Sequence, residues 1–370
     1  MRIISADCHI NEPPTVFDRV PEALRDRAPR MLRGEDGGDG WSFDGKPPKR
    51  TFGIEATAGQ LGAKRLSGLR FDEILPGNWD GKAHVADMER DGIDVSVVYP
   101  AHSIFTYIND DRELAIACMR SYNDWILQDF QGADPRRIVG LPLLPVDDGI
   151  DVCVAELERC VALGAKAMFI PGFPARPYHD PYYDPLYARA AEAGVPLTFH
   201  RTFGGKPAEA DWDELVEQKI TAAGTVYRFF SAVKPFTYMV LGGVFAKHPD
   251  LKIVAAEVNF GWLPFWAQTM EQNVDIRTEF EDEDTVGSLL RPTEHMGRNL
   301  FVTVLDDQVG FDLVKDHPWL ADCAMYSTDY PHSVTLWPNS SEHVPKLTAG
   351  LGQAATEKIL SGNAARVYGV

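Results

Sequence analysis

Eight short runs of β-branched and apolar residues, spread along the whole chain and separated by stretches of helical period, constrain the fold more than any other feature. They are Arg2–Ala6, Val95–Tyr99, Ile138–Pro142, Ala167–Ile170, Pro196–Phe199, Ile253–Ala256, Leu300–Val304 and Ala324–Ser327. Each has the length of a buried strand and is too short for a helix. Between them, Leu114, Cys118, Tyr122 and Trp125 recur at helical spacing, as do Ile150, Val154, Leu157 and Val161, with Gly164 as the stop. A third stretch, 180–193, closes at Gly194. Strand followed by helix, repeated eight times, predicts a deformed (β/α)8 TIM-like barrel spanning residues 1–370 as one domain. A doubly wound open sheet is the alternative, but no glycine-rich nucleotide loop follows the first run.

Two segments fall outside this repeat. Residues 30–80 carry a Gly/Asp-rich stretch and then Trp41-Ser42-Phe43, the pattern of a small hairpin in a long excursion after the first strand. There it would form either a lid over the barrel mouth or a loose surface insertion. The acidic stretch 279–284 reads as a solvated helix end.

Charge narrows the partners. With 36 Lys and Arg against 54 Asp and Glu, the net charge is −18. That excludes the dense basic surface needed for nucleic acid or for docking on anionic lipid. The five cysteines are scattered without a CxxC pair, and the first residues meet Asp7 before any apolar signal core forms. The expectation is a cytoplasmic protein with a small-molecule substrate, assembled as a homodimer.

In such a barrel the chemistry belongs at the C-terminal strand ends. The first run leads into Asp7-Cys8-His9, where Asp7 and His9 share a face and Cys8 takes the other. The fifth ends at His200 beside Arg201, the sixth leads into Glu257, and the eighth into Asp329, with His332 just beyond. Carboxylates and imidazoles from four strands meeting at one rim form a natural divalent-metal site, because the like charges of Asp7, Glu257 and Asp329 repel unless a cation or a proton sits among them. Each alone has a plainer reading: a satisfied core imidazole at His200, a turn cap at Asp329, an Arg201 partner at Glu257. His248, before Pro249, lies at the wrong end of the barrel and reads as structural. Substrate contacts are expected from Arg201, through a bidentate fork, and from His102, Asn259, His332 and Trp337. His179, Arg176 and Trp262 are weaker candidates.

The set Ser5-Ala6-Asp7-Cys8-His9-Ile10-Asn11-Glu12-Pro13, His248-Pro249-Asp250-Leu251-Lys252-Ile253-Val254, Gly261-Trp262-Leu263-Pro264 and Tyr326-Ser327-Thr328-Asp329-Tyr330-Pro331-His332 resembles the aminocarboxymuconate-semialdehyde decarboxylase-like branch of the amidohydrolase superfamily. So does Lys358–Arg366, which is similar to that family's last helix. The resemblance implies one divalent ion, Zn2+ or Mn2+, held by Asp7, His9, His200 and Asp329. Where many members carry a histidine on the sixth strand, this chain has Glu257. No lysine stands at the fourth strand end to bridge a second ion.

Two reactions stay open. Decarboxylation of a small aromatic or unsaturated acid needs a proton donor at the carbon that loses CO2, a role for Glu257. Hydrolysis of a cyclic amide or lactone needs a base for a metal-bound water, a role for Asp329 or Glu257. A barrel that has lost catalysis and serves as a structural subunit is a third class.

Overall fold

In the computed structural model, residues 1–43, 45–48, 50–60, 64–201, 205, 222–278 and 290–370 are described. The acidic stretch 279–284 lies outside them. In chain order the strands are β1 (Ile4–His9), β2 (Arg30–Arg33), β3 (Asp39–Ser42), β4 (Val95–Tyr99), β5 (Ile138–Gly140), β6 (Met168–Phe169), β7 (Leu197–His200), β8 (Ile253–Ala256), β9 (Leu300–Val304) and β10 (Ala324–Tyr326). All eight sequence runs are strands. β1, β4 and β5 form one parallel ladder, and β6 to β10 form another. Residues of these strands are buried along their whole length, as expected when a parallel sheet is covered on both faces.

The ladders join at two irregular seams. β5 ends before Pro142, which has no N–H to give, so this seam runs through the Pro142 carbonyl, which accepts from Phe169 N at 2.8 Å, and through Leu144 N donating to Phe169 O at 3.0 Å. At the other seam the chain beyond β10 pairs with β1: Asp329 N donates to Asp7 O at 3.0 Å and His9 N to Tyr330 O at 2.6 Å. Ser5 Oγ reinforces it, accepting from Thr328 N at 3.0 Å. The result is a closed barrel with two soft joints, one of them directly beneath the predicted site.

Helices cover the outside. In the helix Arg112–Asp124, the Asp111 side chain accepts from Leu114 N, and Leu114, Cys118 and Tyr122 are buried as their spacing predicts. The helix runs on through a wider turn, Trp125–Phe130, that lies against β5. A side chain at Gly140 would meet Ile126 Cγ1 at 2.7 Å, so glycine allows that approach. In the helix Ile150–Ala162 the buried face is rotated from the predicted stripe. Cys153, Glu156, Leu157 and Cys160 are innermost, whereas Ile150, Val154 and Val161 are half-buried. Glu156 is innermost because it binds Asn123 Nδ2 at 2.8 Å and the guanidinium groups of Arg120 and Arg159.

The excursion is docked rather than loose. Its hairpin, β2 with β3, places Trp41 edge-on to Phe17 at 5.2 Å. Thr57 N and Ala58 N both donate to Pro331 O at 3.0 Å, and Asn11 Nδ2 reaches Glu55 O and Asn78 Oδ1. It thereby binds the chain after both β1 and β10, at the C-terminal mouth.

Ser5→Ala removes the hydroxyl that ties Thr328 to β1. The expected cost is about 1–3 kcal/mol in urea unfolding, with the strand content of the far-UV spectrum kept. A change below about 0.5 kcal/mol would show that the seam does not depend on this residue.

Candidate active site

β1 alternates as a strand must. Asp7 and His9 turn inward, while Cys8 turns outward, its Sγ donating to Val97 O at 3.2 Å. His9 Nε2 lies 3.5 Å from Asp7 Oδ1 and 3.2 Å from Asp329 Oδ1. His200 Nε2, from the end of β7, lies 3.8 Å from Asp7 Oδ2 and 3.2 Å from Glu257 Oε2. His332 stacks on His9 with ring centroids 3.9 Å apart and sets Nδ1 3.0 Å from Asp329 Oδ1. Asp7, His9 and His200 offer ligand atoms within 4.8 Å of one another, and so do His9, Asp329 and His332. The two groups share His9. All four residues expected to hold a metal therefore stand in the cluster, and His332, expected as a substrate contact, stands inside it as well.

The backbone is bent to make this possible. Glu257, Asn259 and Asp329 have φ of 58°, 56° and 48°, a left-handed conformation costly for residues with a side chain. Glu257 follows β8 directly and Asp329 lies just beyond β10, and at these reversals the two carboxylates face His200 and His9.

Burial and the neighbouring charges of Asp329 and Glu257 raise Asp7 well above the carboxylate range. Glu257 is pushed up to about 7 by burial and by Asp329, against the pull of Arg201. Asp329 moves the other way: burial raises it, but His332 and His9 outweigh that and hold it low. Burial and His332 bring His9 down to about 4, and burial, His9 and Arg201 lower His200. Two neutral imidazoles and an excess of buried carboxylate are the state in which a divalent cation is bound. Asp7 Oδ1, His9 Nε2 and Asp329 Oδ2 are buried without a hydrogen bond, although all converge on one space. The donor set and its unmet atoms fit a Zn2+ or Mn2+ ion held by Asp7, His9, His200 and Asp329.

Arg201 is ion-paired to Glu257 through Nη2 and lies over the Phe229 ring. Its Nε and Nη1 are buried with no hydrogen-bond partner among the described residues. His102 stands at the mouth, with Nε2 3.3 Å from Asn11 Oδ1. Asn259 borders the cluster rather than entering it, lining a shallow groove with Phe229, Phe230 and Trp262. Trp337 is a correction. Its Nε1 donates to Asp87 O and Arg90 lies over its ring, so the side chain packs on the outer helix Gly81–Asp91 instead of lining the pocket. Arg176 and His179 are likewise occupied by Tyr182 and Tyr238. His248 is structural as expected, its Nε2 3.0 Å from Asp184 Oδ1.

Two residues escaped the sequence reading. Thr303 Oγ1 accepts from Glu257 N at 2.7 Å and donates to Asp7 Oδ2 at 3.1 Å, tying a β1 ligand to the strained turn after β8. The Tyr99 ring fills the space below His9 and His200, and its hydroxyl meets Thr198 Oγ1 at 2.5 Å. Both stand in predicted strands, but a strand threonine or tyrosine carries no signal of its own.

A barrel with a buried carboxylate–imidazole cluster at its C-terminal mouth defines the class of metal-dependent barrel enzymes. More closely, a profile of the amidohydrolase family matches residues 6–370, and the chain belongs to that family as an enzyme. It is 22% identical over 314 residues to the 2-amino-3-carboxymuconate-6-semialdehyde decarboxylase of Dictyostelium discoideum, covering 82% of this chain and 81% of that one. Its fold matches an amidohydrolase of Mycobacterium avium subsp. paratuberculosis K-10 with a TM-score of 0.76 at 20% identity, over 100% of this chain and 98% of the other. It also matches a 5-carboxyvanillate decarboxylase of Novosphingobium aromaticivorans, solved with manganese and 3-methoxy-4-hydroxy-5-nitrobenzoic acid, with a TM-score of 0.68 at 16% identity, over 100% and 97% of the two chains.

Thr303→Val keeps the shape of the side chain and removes both bonds. Manganese affinity of the metal-stripped protein, read by calorimetric titration, should fall about tenfold or more, and Thr303→Ser should restore it. Unchanged affinity in the valine variant would show that the hydroxyl does not hold the site.

Proposed function

We propose that the protein is a mononuclear divalent-metal-dependent decarboxylase of a small aromatic or unsaturated carboxylic acid. The observation that carries this reading is Arg201, a buried guanidinium with two unmet N–H groups, adjoining the cluster through its pair with Glu257. A buried cation with free donors suits a substrate carboxylate. The decarboxylases among the relatives, one of them solved with manganese and an aromatic acid, support the same substrate class and favour Mn2+ over Zn2+.

When bound at Asp7, His9, His200 and Asp329, the metal would hold substrate oxygens and spread the negative charge left by C–C cleavage. This chain's residues do the rest. Arg201 orients the acid, and the barrel wall at Tyr99 limits the depth to which it enters. The C–C bond breaks with its electron pair kept on the substrate carbon, CO2 leaves, and a proton replaces it. Glu257 is placed to give that proton, since Oε2 faces His200 and Oε1 is steadied by Arg201. The excursion 30–80 serves as the cover of the site.

Hydrolysis of a cyclic amide or lactone is the second reading, favoured by one feature. Asp329 and His332, 3.0 Å apart, form a carboxylate–imidazole pair that can take a proton from water. The compartment we propose is the cytoplasm, supported by five cysteines that are all buried and unpaired. No helix among the described residues is long and apolar enough to cross a membrane. A homodimer is supported by the exposed apolar residues Val226, Tyr227, Phe230, Tyr238 and Phe265.

The test is CO2 release by the manganese-loaded protein from a panel of aromatic and unsaturated acids, beside amide and lactone hydrolysis. Glu257→Gln should keep the metal and lose about 100-fold or more in turnover of the acid that reacts. Hydrolysis without CO2 release would replace the first reading by the second, and loss of metal in Glu257→Gln would make Glu257 a ligand.

A further inference from the structure

A second unmet group stands at the mouth, supplied by the excursion. Glu55 lies in the short turn Ile54–Ala56 and is 7% exposed. Its Oε2 takes Arg50 Nη2 at 2.5 Å, while Oε1 is buried without a hydrogen bond. The residue is fixed from two sides. Its backbone carbonyl accepts from Asn11 Nδ2 at 2.9 Å, and the adjoining Thr57 and Ala58 are bonded to Pro331, next to His332. Asn11 lies two residues beyond His9, so Glu55 stands over the β1 rim of the cluster. Its charge reaches both His102 and His332.

Among the described residues no donor lies within hydrogen-bond distance of Oε1. Both N–H bonds of the Asn11 amide are spent, on Glu55 O and on Asn78 Oδ1. His102 Nε2 is 4.0 Å from Oε1 but 3.3 Å from Asn11 Oδ1, the nearer acceptor. Glu12, the other buried carboxylate here, is satisfied by three backbone N–H groups of residues 101–103. A buried carboxylate oxygen without a donor costs more than one that has it, so Oε1 is open to a donor that a ligand brings.

The geometry points to Glu55 as a specificity-determining residue that accepts a hydrogen bond from a hydroxyl or amino substituent on the substrate, beside His102. The assignment deepens the proposed function and rests on its reading of a small carboxylic acid. It narrows the substrate to an acid carrying an O–H or N–H donor away from the carboxylate that Arg201 takes.

The experiment measures binding to the manganese-loaded full chain of benzoate, its three monohydroxy isomers and the three methoxy counterparts, with CO2 release followed in the same samples. At least one hydroxy isomer should bind about tenfold or more tightly than benzoate, and its methoxy counterpart, which cannot donate, should lose that gain. Glu55→Met should abolish the gain, and Glu55→Gln, which keeps an acceptor and the packing, should retain part of it. The proposal is overturned if the gain survives in Glu55→Met, if methoxy and hydroxy isomers bind alike, or if no isomer exceeds benzoate. If the methionine variant does not fold, the glutamine variant and the methoxy comparison on the native chain decide. A hydroxyl gain without CO2 from any acid sinks decarboxylation and leaves Glu55 standing. CO2 release without a hydroxyl gain does the reverse, and an enzyme that binds none of the acids loses both.

Discussion

Asp7, Glu257 and Asp329 bring three buried carboxyl groups to a single space lined by His9, His200 and His332. Each carboxylate taken from water costs several kcal/mol, and each repels the other two. The protein's own cations cover only part of this debt: Arg201 pairs with Glu257 and His332 with Asp329, while burial lowers His9 and His200. A divalent ion would relieve the repulsion and use the unmet oxygens together, and the surrounding structure keeps these groups close. The left-handed backbone at Glu257 and Asp329, the seam between β1 and the chain after β10, and the Thr303 relay all serve that one end.

The seam explains how a barrel carries such strain. A regular ladder between β10 and β1 would continue the chain in extended form and hold the Asp329 side chain roughly perpendicular to the sheet. Instead the pairing passes to Asp329 and Tyr330 by main-chain bonds, while Ser5 takes the amide of Thr328. The chain is then free to turn at Asp329, where φ reverses. The excursion closes the same corner through Thr57, Ala58 and Glu55, which are bonded to Pro331 and Asn11.

Much of this was legible beforehand. Strand positions followed from β-branched runs, and the gathering of carboxylates and imidazoles at one rim followed from strand alternation at Asp7 and His9 with single ligand-type residues at three other rims. What sequence pattern could not supply was of two kinds. Glu156 turned its helix away from the apolar stripe because Arg159 one turn on and Arg120 and Asn123 of the helix Arg112–Asp124 satisfy it, and periodicity counts only apolar residues. Trp337 is expected to contact substrate, whereas its indole is taken up by Asp87 O and Arg90. Glu55 and Thr303 were invisible for a related reason: their importance lies in contacts made across 44 residues or more, to Asn11, Glu257 and Asp7.

The central claim is that the cluster is built around one divalent cation. It is tested most directly by elemental analysis of the purified protein together with its melting temperature before and after chelation. The account predicts about one manganese or zinc per chain, a fall in melting temperature when it is stripped, and recovery on adding one equivalent of Mn2+. No stoichiometric metal, even after reconstitution, and a melting temperature indifferent to chelator would contradict it.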